Sequence, residues 1–423
     1  VSRVAVIGVG YVGLTTAAYL AHLGHEVVGA DVVPERIEAL NRGTIPIFEA
    51  GLEEMVREGL ESKRLSFVLG AEAAVPDAEF AFLCVPTPQS ADGSAEMGYI
   101  EEAARQIGPR LRSEAIVINK STVPVGSTRV VEQALGRDDV FVVSNPEFLR
   151  EGSAVHDCLN PDRIVIGSDD QGAAIRVAAL FEGIQATVVV TDPATAETIK
   201  YASNAFLATK VSFVNALANL CEAVGADVRD VVFGMGYDPR IGFEFLKPGP
   251  GWGGSCFPKD THALVHIGDE AGYDFSLLRG VIAVNNEQHE RVVGKVVAAA
   301  GGSVEGRAVA VWGLTFKART DDTRDSPAIE VVNRLVERGA QVRAYDPQAR
   351  GEVEGVQRCS DPYAACEGAA VLVVLTEWDE FRWLDLEKVS GLMAVASIVD
   401  ARNLLDPAAA RRKGFIYEGL GRP

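Results

Sequence analysis

The stretch VAVIGVGYVGLTTAAYLAHLGHEVVGAD, residues 4–31, leaves few folds open. Val4–Ile7 is a short unbroken apolar run, as expected of a strand buried on both faces. Gly8, Gly10 and Gly13 follow it as G-x-G-x-x-G. Leu14–Leu23 then has helical spacing and stops at Gly24. Glu26–Ala30 reads as a second strand, with Asp31 at its carboxyl end. Strand, glycine turn, helix and strand in that order predict a Rossmann unit. Gly8 makes the tight turn, Gly10 lets backbone approach a pyrophosphate, and Gly13 packs helix on strand. Tyr11 and Val12 lie inside the same turn, where a helix N-terminus offers N–H donors to phosphate. Asp31 can accept from ribose hydroxyls and would repel a 2′-phosphate, which favours NAD over NADP.

Further apolar runs at 80–88, 115–123, 140–148 and 163–168 extend the sheet. Three of them end in polar or proline-rich residues: Thr87, then Ser121-Thr122, then Asn145-Pro146-Glu147. Ligands of open α/β sheets bind beyond the carboxyl ends of the strands, so these ends are candidates to line a nicotinamide and the reacting carbon. Residues 193–234 and about 275–300 are helical in spacing. From Ala308 the first pattern returns: a strand over 308–312, a helix over 327–338, a strand ending at Asp346, then strands in 369–378 and 397–403. The glycine fingerprint is replaced there by Gly313-Leu-Thr-Phe-Lys-Ala-Arg, and Lys317 and Arg324 are gained. That loop suits a phosphate-bearing ligand other than the dinucleotide. The expected architecture is α/β: two Rossmann-like, doubly wound parallel-sheet domains, 1–192 and 303–423, joined by a central helical domain, 193–302.

Charge narrows the partners. With 40 basic and 59 acidic residues the chain has a formal net charge of −19, which argues against general nucleic-acid binding. A small anion held by a few local cations remains open. The first apolar run, Val4–Ile7, is far too short for a signal peptide or a membrane span and leads into glycines, so a soluble, cytoplasmic protein is expected. The six cysteines form no C-x-x-C pair, which fits reduced thiols better than a disulfide framework or a metal site.

Two local features point to chemistry. Lys200 and Asn204 are four apart in a helical stretch, hence on one face, among Ile199, Ala202, Ala205 and Phe206. If buried, they must be paired or face a ligand. The second feature is PGPGWGGSCFPKD, residues 248–260, which sets Cys256 in a glycine-rich loop directly before Lys259 and Asp260. A structural cysteine usually sits in a strand or helix among apolar neighbours. Here the alternatives are an ordinary surface turn and a site.

Six motifs, in order, resemble those of the UDP-glucose/GDP-mannose dehydrogenase family. They are GVGYVGL (8–14), STVPVGST (121–128), NPEFLREGSA (145–154), KYASN (200–204), RIG with FLKPGPGWGGSCFPKD (240–260), and GLTFK with DDTRDSP (313–327). One departure is Asp400-Ala401-Arg402-Asn403, where the family more often has D-G-R. The resemblance implies a four-electron oxidation of a nucleotide sugar at C6, from alcohol to carboxylate, with NAD as cofactor. Cys256 would attack the aldehyde, giving a thiohemiacetal and then a thioester. Lys200 and Asn204 would meet the developing oxyanion, and Asp260 and Glu147 would handle protons and the hydrolytic water. Asp31, Arg36, Thr87, Thr122, Glu151, Lys259 and Arg324 would meet NAD, Thr122 also at the catalytic centre. Phe148, Leu149, Arg150 and Glu151 would meet the sugar nucleotide, as would Phe245, Leu246, Lys247, Pro248, Gly249, Gly253, Lys317 and Arg402. Arg240 would reach a neighbouring subunit's site, which implies a homodimer or higher homo-oligomer.

The cysteine loop looks like the UDP-glucose branch, with GDP-mannose or a UDP-N-acetylhexosamine as the alternative substrate. A non-catalytic NAD-binding protein is a reading of another class. The joint presence of Cys256, Lys200, Asn204 and Asp260 speaks against it. A single-step hydroxyacid dehydrogenase would need neither the cysteine nor a third domain.

Overall fold

A computed structural model describes residues 1–90 and 93–422. They form two compact units: Val1–Ser203 with His262–Ala271, and Asn204–Thr261 with Gly272–Pro423.

The first unit carries an eight-stranded sheet. Its strands are β1 (Arg3–Ile7), β2 (Glu26–Asp31), β3 (Leu65–Leu69), β4 (Phe80–Leu83), β5 (Ile116–Asn119), β6 (Phe141–Ser144), β7 (Arg163–Gly167) and β8 (Thr187–Thr191), in the order β3-β2-β1-β4-β5-β6-β7-β8. All neighbours are parallel except β6 and β7. Successive side chains of a strand point to opposite faces. Val4 and Val6 therefore join Leu14, Phe82 and Ile118 on one side, while Ala5 and Ile7 join Leu83, Ile100 and Val117 on the other. β4 is shorter than the apolar run that announces it, because Pro86 and Pro88 follow and have no N–H for the ladder.

The second unit holds a six-stranded, fully parallel sheet: β9 (Ala308–Trp312), β10 (Gln341–Tyr345), β11 (Val356–Arg358), β12 (Val371–Val374), β13 (Ser397–Asp400) and β14 (Ile416–Gly419), ordered β11-β10-β9-β12-β13-β14. Helix Ser276–Ala299 packs Val292, Val293 and Val296 against Val309 and Val311 of β9. The helical stretch from Pro193 ends at Val224; Gly225 turns the chain at φ +75° and Asp227 caps a new helix, Val228–Gly236. In each sheet the strand order reverses once, between β1 and β4 and between β9 and β12. Those reversals open crevices at the carboxyl edges. Among the described residues no helix is long and apolar enough to cross a membrane.

Candidate active site

At the crevice beside β1, Gly8 takes φ +88°, and a Cβ there would stand 2.8 Å from the Cys84 carbonyl oxygen. A Cβ on Gly13 would stand 1.8 Å from the Gly8 oxygen, so helix and strand touch backbone to backbone. In front of Gly10 a Cβ would meet nothing within 4 Å. Helix Tyr11–His22, which includes Val12, begins there with no side-chain cap and no acid in its first turn. Its first N–H groups therefore suit an anion. Asp31 is buried; Oδ2 accepts from Val9 N–H (3.1 Å) and Arg36 Nη1 (2.8 Å), Oδ1 from Val33 N–H (3.1 Å). A carboxylate has about four acceptor positions, so Oδ1 can still take a ribose hydroxyl. Turn, helix end and acid together fit a dinucleotide. Thr87 and Thr122 lie just beyond β4 and β5, Thr87 buried and Thr122 half-buried.

The Tyr11 hydroxyl donates to Glu49, whose carboxylate also accepts from the N–H groups of Gly152 (2.7 Å) and Ala154 (2.9 Å). Burial and the Glu49 charge push the Tyr11 hydroxyl far above its ordinary pKa, so it stays a donor. Glu49 thus ties the cofactor turn to the loop after Glu151, itself half-buried.

Beyond β6, the Lys200 ammonium donates to the Glu147 carbonyl (2.7 Å) and Oε1 (2.8 Å), and both side chains are buried. Glu147 Oε2 accepts from Leu149 N–H (2.6 Å). Burial disfavours the charged form of Glu147, but Lys200 and these donors outweigh it and hold the carboxyl below the usual range. The Phe148 ring lies under Lys200 (5.5 Å) and Arg163 (3.7 Å). Arg150 is committed to Asp157, through Nη2 at 2.6 Å and Nε at 3.0 Å. A cavity of about 150 Å³ adjoins these residues, and Lys120 on its wall donates to Asn145 Oδ1 (3.0 Å). Burial pulls the Lys120 ammonium below the usual lysine pKa.

In the second unit, Cys256 directly precedes helix Phe257–Glu270, and its carbonyl accepts from Asp260 N–H (2.9 Å). Its thiol, 3.6 Å from Ser255 Oγ, therefore sits at a helix N-terminus. Asp260 is fully buried and held twice: Lys259 Nζ donates to Oδ1 and Asn204 Nδ2 to Oδ2, each at 2.6 Å. Gly253 is obligatory, since a Cβ would stand 1.9 Å from the Asp325 oxygen.

Arg402, just past β13, donates to the carbonyls of Leu375 (2.8 Å) and Phe316 (2.9 Å) and pairs with Glu377 (3.0 Å). Leu375 follows β12 and Phe316 follows β9, so Arg402 spans the crevice where the strand order reverses. Gly249 packs against it: a Cβ there would stand 3.1 Å from Nη1. Ala401, buried in the core, leaves that placement intact. Lys317 lies over the Phe316 ring (5.3 Å). Leu246, Lys247, Pro248 and Arg402 line a cavity of about 890 Å³, together with Arg229, Arg382, Arg411 and Arg422. Its carboxylates are Glu377 and Asp406, so in a chain of net charge −19 this wall is cationic. Phe245, at φ +62°, places its ring against Phe257 (6.2 Å). Such a conformation costs a bulky residue energy and is typical of ligand-holding loops. Arg240 and Arg324 are exposed and pair with Asp238 and Asp322, each at 2.6 Å. Sequence reasoning missed Glu49, Lys120 and Asp157; the available signal was a charge inside or just after an apolar run.

Profiles of one family match along the chain. The UDP-glucose/GDP-mannose dehydrogenase family's NAD binding domain matches residues 2–185, its central domain 194–287 and its UDP binding domain 310–407. A UDP-glucose 6-dehydrogenase of Rhizobium meliloti (strain 1021) is 45% identical over 435 residues, covering 100% of both chains. One of Bacillus subtilis (strain 168) is 44% identical, covering 100% of this chain and 93% of the other. The solved structure of a UDP-glucose dehydrogenase from Pyrobaculum islandicum superposes with a TM-score of 0.93 at 39% identity, over 100% of this chain and 98% of that one.

Proposed function

The chain belongs to the UDP-glucose/GDP-mannose dehydrogenase family, and from that membership we propose that it oxidises C6 of UDP-glucose to the carboxylate of UDP-glucuronate, in two NAD-dependent steps, with Cys256 as nucleophile of the second. The observation that carries this reading is Cys256 itself, at a helix start in a glycine loop, one turn from the Lys259–Asp260–Asn204 cluster. The substrate rests on the similarity to UDP-glucose 6-dehydrogenases over the whole chain.

The Gly8–Gly13 turn would hold NAD with Asp31 at its ribose, and the cofactor would supply the hydride acceptor of both steps. In the first step the C6 hydroxyl loses a proton and C6 a hydride, leaving an aldehyde. Lys200 and Asn204 are the donors that stabilise the alkoxide character at that oxygen. The Cys256 thiolate then adds to the aldehyde carbon, and the oxygen takes up a proton to give a thiohemiacetal. Loss of a hydride and of the hydroxyl proton leaves a thioester. Water adds to it, the C–S bond breaks, and carboxylate, thiol and one proton are released. Asp260 and Glu147, each paired with a lysine, are the proton acceptors of this sequence. Lys317, Arg402 and the cationic cavity wall suit the diphosphate and uridine.

The active form we propose is a dimer or larger homo-oligomer. Phe206, Phe213 and Leu220 stand seven apart on helix Pro193–Val224, all more than half exposed. Phe233, Tyr237 and Phe243 form an exposed aromatic cluster in the same unit. Exposed apolar stripes of this kind are covered by a partner, and a second copy supplies the same stripe.

The test is a panel of nucleotide sugars with NAD⁺, counting NADH per sugar consumed. Two NADH for UDP-glucose, and far slower turnover of GDP-mannose and UDP-N-acetylglucosamine, is the expected result. One NADH per sugar, or faster turnover of another sugar, overturns the reading.

A further inference from the structure

The backbone of the loop leading to Cys256 is gripped by buried amides. Gly249 N–H donates to Asn215 Oδ1 (2.8 Å), and the Gly249 carbonyl accepts from Gln288 Nε2 (2.9 Å). Trp252 N–H donates to Asn285 Oδ1 (2.8 Å), and the Trp252 carbonyl accepts from Asn285 Nδ2 (3.0 Å). Gln288 is oriented in turn by Asn219 Nδ2 (3.0 Å), and the Trp252 indole donates to Ser212 Oγ (2.8 Å). Asn215, Asn285 and Gln288 are buried. Ser212, Asn215 and Asn219 share one face of helix Pro193–Val224, and Asn285 and Gln288 share one face of Ser276–Ala299.

A core amide is costly unless its donors and acceptor are used. Apolar side chains at these positions would pack the same helices without that cost. Here the amides are spent on both backbone groups of two loop residues. Asn285 bonds the N–H and the carbonyl of a single residue, as a neighbouring strand would, and so fixes its orientation as well as its height. Between the clamps, Pro250 fixes only its own φ, and Gly251, at φ +138° in a region open to glycine alone, has no side chain to hold it there. Beyond Trp252 the chain has only Gly253, pressed on the Asp325 oxygen, Gly254, packed on the Phe316 ring, and Ser255 before it reaches Cys256. Trp252 is therefore one of the anchors that set the course of the short segment carrying the thiol, with Asp325 and the start of helix Phe257–Glu270 as the others.

We propose that Asn285 and Gln288 are positioning residues of the thiol step: their grip on Trp252 and Gly249 places Cys256 for attack on the aldehyde, and so commits each sugar to both oxidations. This rests on the reading of Cys256 as the nucleophile. The first oxidation needs no thiol, so a loosened loop uncouples the two. Misplacing a reacting group by about 1 Å costs on the order of 100-fold in rate, and that loss falls on the second step.

The experiment counts NADH per UDP-glucose consumed, with hydroxylamine present to trap free aldehyde, in wild type, Asn285→Leu, Asn285→Asp and Gln288→Met. Only folded molecules turn over, so the ratio is blind to a loss of folded protein. The expected result is two NADH and no trapped aldehyde for wild type. For Asn285→Leu and Gln288→Met the ratio falls toward one and the aldehyde oxime accumulates. Asn285→Asp, which keeps the acceptor for Trp252 N–H, lies between. A ratio that stays at two in every variant, whatever the fall in rate, overturns the proposal. A wild-type ratio other than two fails the functional reading itself and takes this proposal with it.

Discussion

Asp346 stands in the second sheet where Asp31 stands in the first, and its carboxylate is saturated. Asp31 ends β2 and Asp346 directly follows β10, each the strand beside the central one, and each accepts through Oδ2 from the residue after a turn glycine: Val9 N–H (3.1 Å) for Asp31, Leu314 N–H (2.7 Å) for Asp346. The glycines match as well, Gly8 at φ +88° and Gly313 at φ +97°, each donating at 2.8 Å to the end of the neighbouring strand. Asp346 Oδ2 further accepts from Thr315 N–H (3.0 Å), Thr315 Oγ1 (3.1 Å) and Trp378 Nε1 (3.2 Å), and Oδ1 from the N–H groups of Gln348 (2.9 Å) and Ala349 (2.8 Å). No acceptor is left for a ribose. One geometry keeps an acceptor open in one sheet and serves as an internal brace in the other.

The two aspartates should therefore separate cleanly on mutation. Asp31→Ser is expected to narrow the preference for NAD⁺ over NADP⁺ by about tenfold or more, since one ribose contact is worth about 1.5–3 kcal/mol, and to lower the melting temperature less than Asp346→Ala does, since fewer donors lose their acceptor. Asp346→Ala is expected to lower stability by several kcal/mol, because it orphans several buried donors, and to leave the KM for NAD⁺ unchanged. Steady-state kinetics with both cofactors, alongside thermal melts, checks the pair.

Cys256→Ala is expected to release aldehyde in slow single turnovers and to form no covalent adduct. Cys256→Ser should stall, because an alcohol is a weak nucleophile at neutral pH and its ester hydrolyses less readily than a thioester. Mass spectrometry of enzyme quenched during turnover reads both. Near-normal production of the uronic acid by the alanine variant would exclude the covalent route.

His289 gives the protein an acid-side weakness. It is buried beside Gly251 with neither ring nitrogen hydrogen-bonded, and burial lowers its pKa to about 4, with Glu330 and Arg334 as its charged neighbours. The unfolded chain binds this proton near pH 6.5 and the folded one only near 4. The stabilisation is complete above pH 6.5 and falls as pH drops toward 4, by about 3 kcal/mol in all. His289→Leu should flatten the stability profile between those two values. Denaturant titrations at several pH values test it; an unchanged slope would show that His289 charges freely in the folded state.

Phe213→Asp is expected to shift the protein toward monomer in light scattering, with unchanged helix content by circular dichroism. Retention of the wild-type mass would show that the stripe Phe206–Phe213–Leu220 is not the contact between copies.

Much of the fold was legible in the sequence, and the strands that escaped have a common cause. The apolar runs announced β1, β2, β4, β5, β6, β7, β9, β10, β12 and β13. They did not announce β3, β8, β11 or β14, which are the four edge strands of the two sheets. A central parallel strand is covered on both faces and both flanks, so it must be apolar throughout, as β4 is. An edge strand is freer: β8 is exposed or half-exposed at every residue, and β11 is three residues long. The spacing of Lys200 and Asn204 put them on one helical face, but their burial was not readable, since Ala202 and Phe206, two of the apolar neighbours that suggested it, are exposed. Composition, spacing and motif order were enough to fix the glycine turn, the cysteine loop and the family resemblance.

Other features required tertiary structure. That Asp31 keeps a free acceptor while Asp346 has none depends on Trp378 and Thr315, which no local pattern ties to residue 346. Glu49 reaches residues 152 and 154, and Asn285 and Gln288 reach back 33 and 39 residues to Trp252 and Gly249. Hydrophobic periodicity reports which face of an element is buried. It does not report which distant backbone group a buried amide or carboxylate will satisfy, because that bond exists only once the chain has closed the loop between them.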